Sequence, residues 1–130
     1  MIVNVSKRIL IVGLGLLGGS YARGLKRFGF HISAITLEQS SIDYAIRENI
    51  IDEGSVELDE RIIGEADLVI FALYPRVFVD WIRENQGLLK SGALIVSTYM
   101  VQVVLDQISA VTDAARQYLA VESQVKQNIG

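Results

Sequence analysis

The sequence of 130 residues predicts an α/β domain: a doubly wound, mostly parallel sheet covered by helices on both faces, three layers in all. Three observations carry that expectation. Continuous apolar runs of strand length stand at residues 8–12, 67–73 and 93–97, the pattern of strands buried on both faces. Segments of helical periodicity lie between the strands, and parallel neighbours need such crossovers. A glycine-rich turn joins the first strand to the first helix.

Arg8 to Val12 is the first strand, and a helix follows from Leu16 to Phe28 with Leu17, Leu25 and Phe28 at apolar spacing. Lys26 and Arg27 fall in its last turn, where they complement the helix dipole, and Gly29 ends it. His31 to Leu37 reads as the second strand. Ser40 and Asp43 resemble a capping box opening a helix through Asn49, with Ile42, Ala45, Ile46 and Ile50 as its buried face. Residues 51–64 are open, with a short strand near Ile50 to Asp52 and a turn at Glu53-Gly54 as the local signals. Asp67 to Leu73 is a buried strand, and Pro75 suits the first turn of the next helix. That helix sets Val77, Phe78, Trp81 and Ile82 against Arg76, Asp80, Arg83 and Glu84, which makes Trp81 a core residue before a ligand platform. After a turn at Ser91-Gly92, Ala93 to Ser97 forms another strand. Beyond Val101 a helix is expected on Val104, Leu105, Ile108 and Val111. Gln117 to Val121 then reads as a last strand, with a helix continuing through Lys126 as the alternative. No linker interrupts the chain, so one domain over 1–130 is expected.

Composition narrows the function. With 51% hydrophobic and 21% charged residues the chain is globular, and 12 basic against 15 acidic side chains give a net charge of -3. No overall positive field exists to hold nucleic acid or an anionic membrane. Absence of cysteine excludes disulfides, thiolate catalysis and cysteine metal sites and suits a reducing compartment, hence a cytoplasmic protein with no metal. Lys7-Arg8 and the apolar run to Gly19 imitate a signal peptide, but Gly13, Gly15, Gly18 and Gly19 interrupt it. No stretch reaches the roughly 20 apolar residues of a membrane span.

The same glycines carry the chemistry. Gly13, Gly15 and Gly18 occupy the three positions of a G-x-G-x-x-G fingerprint, placed after a strand and before a helix. The first permits the tight turn, the second admits a pyrophosphate close to the backbone, and the third lets helix and strand approach. Amides around Gly15, Leu16 and Leu17 would face the phosphates at the helix start. The expected fold is therefore Rossmann-like. The second strand ends Ile35-Thr36-Leu37-Glu38, where an acid commonly reads the adenosine ribose. Thr36 offers a neutral hydroxyl there, and Glu38 is either a ribose reader or an ordinary exposed acid. No Arg or Lys lies between Thr36 and Ser41, so NAD is favoured and NADP is the alternative. Leu73, Tyr74 and Pro75 should stand at the carboxyl edge of the sheet beside the glycine loop, Tyr74 either lining the pocket or packing. His31, the single histidine, belongs at the opposite edge, and no catalytic residue is assigned.

Four segments in order, GLGLLGGSYARGLKRFG, SIDYAIRENIID, EADLVIFALYP and LKSGALIV, resemble the nucleotide-binding half of prephenate dehydrogenases, especially their Gram-positive bacterial forms, over roughly residues 7 to 97. The resemblance implies NAD(P)-dependent oxidative decarboxylation in tyrosine biosynthesis. Hydride leaves the ring carbon bearing the hydroxyl, and loss of carbon dioxide gives 4-hydroxyphenylpyruvate. The sequence departs from the family at several points. Thr36 replaces an acid, Ser97 an Asp and Gln102 a Lys, and no histidine stands near Glu122-Ser123, where a His-Pro motif is expected. The family's helical substrate domain, which supplies a substrate-binding Arg and the dimer contact, is also missing from these residues. The expectation is a nicotinamide-dinucleotide domain, inactive as an isolated chain, that meets prephenate only if a substrate domain is supplied. A non-catalytic binding or interaction module is the alternative, and a homodimer is expected from apolar surface left uncovered.

Overall fold

The computed structural model describes residues 6–99 and Gln107. The chain divides into two compact units, Met1–Tyr99 and Met100–Gly130, and the fold described is that of the first. The helix expected after Val101 and the strand or helix expected at 117–126 lie outside the described residues, into which the single-domain expectation also extends.

Five parallel strands form one sheet: β1 (Arg8–Val12), β2 (His31–Ile35), β3 (Glu53–Ser55), β4 (Leu68–Phe71) and β5 (Leu94–Ser97), in the order β3-β2-β1-β4-β5. Four helices connect them: α1 (Leu16–Arg27), α2 (Gln39–Arg47), α3 (Glu60–Glu65) and α4 (Pro75–Asn85). The period of two along β1 explains the layers. Ile9 and Ile11 join Ala22 of α1 and Ile42 and Ala45 of α2 in one core, whereas Leu10 and Val12 join Ile62 and Ile63 of α3 and Phe71 in the other. Phe78 and Trp81 of α4 pack edge-on to Phe71, with centroids at 4.9 and 4.8 Å. The expected three-layer α/β sandwich is present.

Several local expectations are corrected. In α1 the inward face carries Gly18 and Ala22 with Tyr21 and Leu25 beside them, while Leu17 and Phe28 are exposed. Close approach of the helix to β1 selects small residues there. The capping box does not form: α2 begins at Gln39 with Glu38 as an N-cap lacking a side-chain bond, and Gln39 Nε2 donates to the Asp43 carboxylate at 2.9 Å. Ser40 is thus already inside the helix. Ile42, Ala45 and Ile50 are buried as expected, but Ile46 is exposed. Asn49 at φ 56° reverses the chain, and the N–H groups of Ile50 and Ile51 both donate to the Ala45 carbonyl, returning these side chains to the core. The short strand lies at Glu53–Ser55 and not at Ile50 to Asp52, so Glu53-Gly54 is strand and not turn. Gly54 is favoured by packing, since a Cβ there would stand 2.6 Å from Ile42 Cδ1, which would have to move aside. The open stretch also holds α3, whose N-cap Asp59 accepts from the Ile62 N–H at 3.0 Å.

Candidate functional site

The glycine loop leaves β1 through Gly13 at φ 97°, a left-handed conformation that side chains resist. Its N–H donates to the Ile35 carbonyl at 2.8 Å, tying the turn to the end of β2. A Cβ on Gly13 would meet the Ala72 carbonyl oxygen at 2.7 Å, and one on Gly18 would lie 1.9 Å from the Gly13 carbonyl oxygen. Gly18 therefore seats α1 directly on the loop. Gly15 is the N-cap of α1 and faces open space where a Cβ would stand. The first-turn amides of α1 start there, with no acidic side chain in that turn.

A cleft of about 510 Å³ opens at the carboxyl ends of β1, β2 and β4, lined by Gly13, Gly15, Thr36, Glu38, Leu73 and Trp81 among others. Five residues singled out from the sequence thus meet in one place: Gly13, Gly15, Thr36, Glu38 and Leu73. Thr36 Oγ1 accepts from the Leu14 N–H at 3.4 Å, and Thr36 N–H donates to the Ser55 carbonyl at 3.2 Å, so this side chain braces the glycine loop against the β2 end. Glu38 is exposed on the rim. Leu16, 94% exposed, lies on the neighbouring side of Gly15, while Leu17 and Gly18 are outside the cleft lining. Tyr74 neither packs nor lines the cleft: it is the N-cap of α4 and 82% exposed, with Pro75 exposed behind it.

Other lining residues were not legible. Val56, Glu57 and Leu58 follow β3 in the stretch the sequence left open, and Val77 reaches the cleft from a helix face read as buried. Trp81 is both things at once, edge-packed on Phe71 and part of the cleft wall. At the end of β5, Thr98 is buried and its hydroxyl donates to the Phe71 carbonyl at 3.3 Å, closing off that strand end.

The amino edge of the sheet holds the charge clusters. His31 Nε2 lies 3.2 Å from Glu53 Oε1 at the start of β2, away from the glycine loop. Burial raises the Asp52 carboxyl pKa, but hydrogen bonds from Lys26 and the Ile32 N–H, with the charges of Lys26 and His31, bring it below its ordinary value. Hydrogen bonding from Arg61, against burial and aided by His31, lowers that of Glu53. Asp67 is lowered by Lys90 and the Arg8 N–H. These are structural ion pairs, and no group of residues able to hold a metal ion occurs among the described residues.

No family model matches the chain. It is 31% identical over 90 residues to a prephenate dehydrogenase of Lactococcus lactis subsp. cremoris (strain MG1363), an alignment covering 68% of this chain and 25% of that protein. Among solved structures, prephenate dehydrogenase from A. aeolicus in complex with hydroxyphenyl propionate and NAD+ superposes with a TM-score of 0.64 at 29% identity, over 70% of this chain and 32% of that one. Synechocystis arogenate dehydrogenase shares the fold, with a TM-score of 0.64 at 23% identity over 69% of this chain and 32% of that one. The chain thus spans about a quarter of the curated relative's length and about a third of these structures. Over its N-terminal part, carrying the glycine loop and the five-stranded sheet, the chain is thus similar in both sequence and fold to prephenate dehydrogenases.

Proposed function

We propose that this domain binds a nicotinamide dinucleotide in the 510 Å³ cleft, as the cofactor half of a prephenate dehydrogenase. The observation that carries the reading is the cradle at the glycine loop: Gly13 at φ 97° and Gly18 under its carbonyl leave no room for a Cβ, and Gly15 stands open at the start of α1. Gly13, Gly15 and the amides of Leu16 and Leu17 would hold the pyrophosphate, Thr36 and Glu38 the ribose end, and Leu73 an apolar wall, with Tyr74 and Pro75 on the outer rim. When bound, the dinucleotide supplies a hydride acceptor. The chain's own residues then bind, orient and shield it from water. The unphosphorylated NAD suits the β2 end, where the rim charge is that of Glu38.

The alternative of a binding module without chemistry is favoured by one observation. The single histidine in the 130 residues is held among carboxylates at the amino edge of the sheet, so it cannot take the proton of a hydroxyl at the carboxyl edge. We therefore propose that these residues alone bind cofactor but do not turn over prephenate, since loss of a general base costs about 10²- to 10⁴-fold. Titrating NADH while following emission of Trp81, the single tryptophan, should show saturable quenching. Absence of binding overturns the site, and sustained NADH formation from prephenate and NAD overturns the inactivity. Self-association is part of the proposal: Leu94 and Ile95 of β5, the end strand of the sheet among the described residues, are 68% and 41% exposed. Sedimentation should detect a homodimer, and a monomer at high concentration counts against it. Cytoplasmic residence fits the absence of cysteine, and no helix among the described residues is long and apolar enough to cross a membrane.

A further inference from the structure

Beside the dinucleotide cleft a second cavity, of about 580 Å³, lies between α1 and α2. The two share Leu14, Gly15 and Ser41, so this groove opens from the glycine loop itself. One wall is a face of α1 bearing Gly19, Ser20 and Arg23, and the other is a face of α2 bearing Ser40, Ser41 and Tyr44. Positions three and four apart share a helix face, which is why each trio points the same way. The missing side chain at Gly19 helps keep the groove open.

The lining chemistry suits a small dianion. It holds the Arg23 guanidinium and the hydroxyls of Ser40, Ser41 and Tyr44, with no carboxylate, while the Ser20 hydroxyl donates to the Leu16 carbonyl at 3.0 Å. Arg23 makes no ion pair among the described residues, and its Nη2 donates to the Tyr44 hydroxyl at 3.4 Å. A planar guanidinium with donors to spare is the usual partner of a phosphate. α2 adds to this, with no acidic residue in its first turn and no side chain capping its N–H groups. Glu38, whose charge favours NAD at the β2 end, lines the cleft and not the groove, so a phosphate turned into the groove meets Arg23 and no lining carboxylate. On the cleft side, Thr36 is neutral and does not repel a phosphate on the ribose.

Resting on the dinucleotide reading above, we infer that the α1–α2 groove is a subsite for the 2′-phosphate of a phosphorylated nicotinamide dinucleotide, with Arg23 as its specificity-determining cation. The domain then accepts NADP beside NAD. The neutralising charge comes from the first helix, not from the segment after β2.

Binding of NADPH and NADH to the full chain, followed by Trp81 quenching, tests this with wild type and Arg23→Gln. Arg23 is exposed, so the variant should fold, and a matching melting curve checks it. Wild type should bind the two cofactors within tenfold of each other. Arg23→Gln should weaken NADPH by about 10- to 100-fold, the worth of a charge-assisted hydrogen bond, and leave NADH within about twofold. Displacement by 2′,5′-ADP should show the same dependence on Arg23, and displacement by 5′-AMP should not. An unchanged NADPH to NADH ratio in the variant, or wild-type rejection of NADPH by more than about 100-fold, overturns the subsite while leaving the dinucleotide reading intact. Binding of neither cofactor overturns both.

Discussion

At the scale of single residues, the glycine loop has the least tolerance. Adding a methyl at Gly18 puts carbon 1.9 Å from the Gly13 carbonyl oxygen, so α1 must move off β1. Gly18→Ala should destabilise the domain by about 1–3 kcal/mol, as overpacking does. A thermal melt would register this as a clear drop in Tm, with NADH affinity falling in parallel. An unchanged Tm would show that the loop is looser than its geometry says. Thr36→Val is a gentler test of the same region. It removes the acceptor for the Leu14 N–H and should cost about 1 kcal/mol, read from urea denaturation. The three fingerprint glycines were legible in the sequence because their spacing is local: Gly13 turns the chain at φ 97°, Gly18 lies under its carbonyl, and Gly15, crowded by nothing, leaves the start of α1 open. The brace from Thr36 was not, since its partner lies 22 residues away.

At the scale of elements, the expectations failed where packing overrode local signals. Gly54 looks like a turn residue until Ile42 of α2 is seen resting on it. Ser40 looks like a cap until Gln39 takes Asp43 and starts the helix two residues earlier, with Glu38 as its cap. The six-residue α3 has too few turns for its periodicity to show in sequence. Its cap carries much of its local definition, so Asp59→Ala should cost about 0.5–2 kcal/mol. The check is a shift in the urea midpoint without a change in slope. Trp81 shows how one face of α4 serves two purposes. The helix end nearest the cleft contributes Val77 and Trp81 to its wall, and Phe78 and Trp81 also hold Phe71. Phe71→Ala should cost about 3–5 kcal/mol and quench the cofactor response of Trp81 along with stability.

At the scale of the whole molecule, the cleft and the buttressing ion pairs are sorted to opposite edges of the sheet. The carboxyl edge holds glycines, hydroxyls and apolar walls with Glu38 and Glu57 among them, while the amino edge holds Asp52, Glu53 and Asp67 with their cations. All three carboxyls titrate below their ordinary values in the folded state. The unfolded chain therefore takes up protons first as acid is added. Their stabilisation is complete above the unfolded values, about 4, and is lost as pH falls through the lowered ones. Tm measured from pH 7 down to pH 3 should fall mainly below about pH 4.5, and an Asp52→Asn, Glu53→Gln double variant should show a shallower fall. An equally steep fall in that variant would remove these pairs from the account. Cofactor binding, located at the other edge, should be less sensitive over the upper part of that range.

Read alone, the sequence determined the α/β class, the place of the glycine loop, four of the five strands to within two residues and the family resemblance. These are local matters: strand-length apolar runs, helical periodicity and glycine spacing are written in neighbouring residues. Only the tertiary structure decided which face of α1 is buried, where the third strand runs and what surrounds the cofactor cleft. It also brought Arg23 to Ser40, Ser41 and Tyr44, supplying a cation that the segment Thr36 to Ser41 lacks. The physical reason is that parallel strands join through crossovers, so side chains that meet at one sheet edge are far apart along the chain.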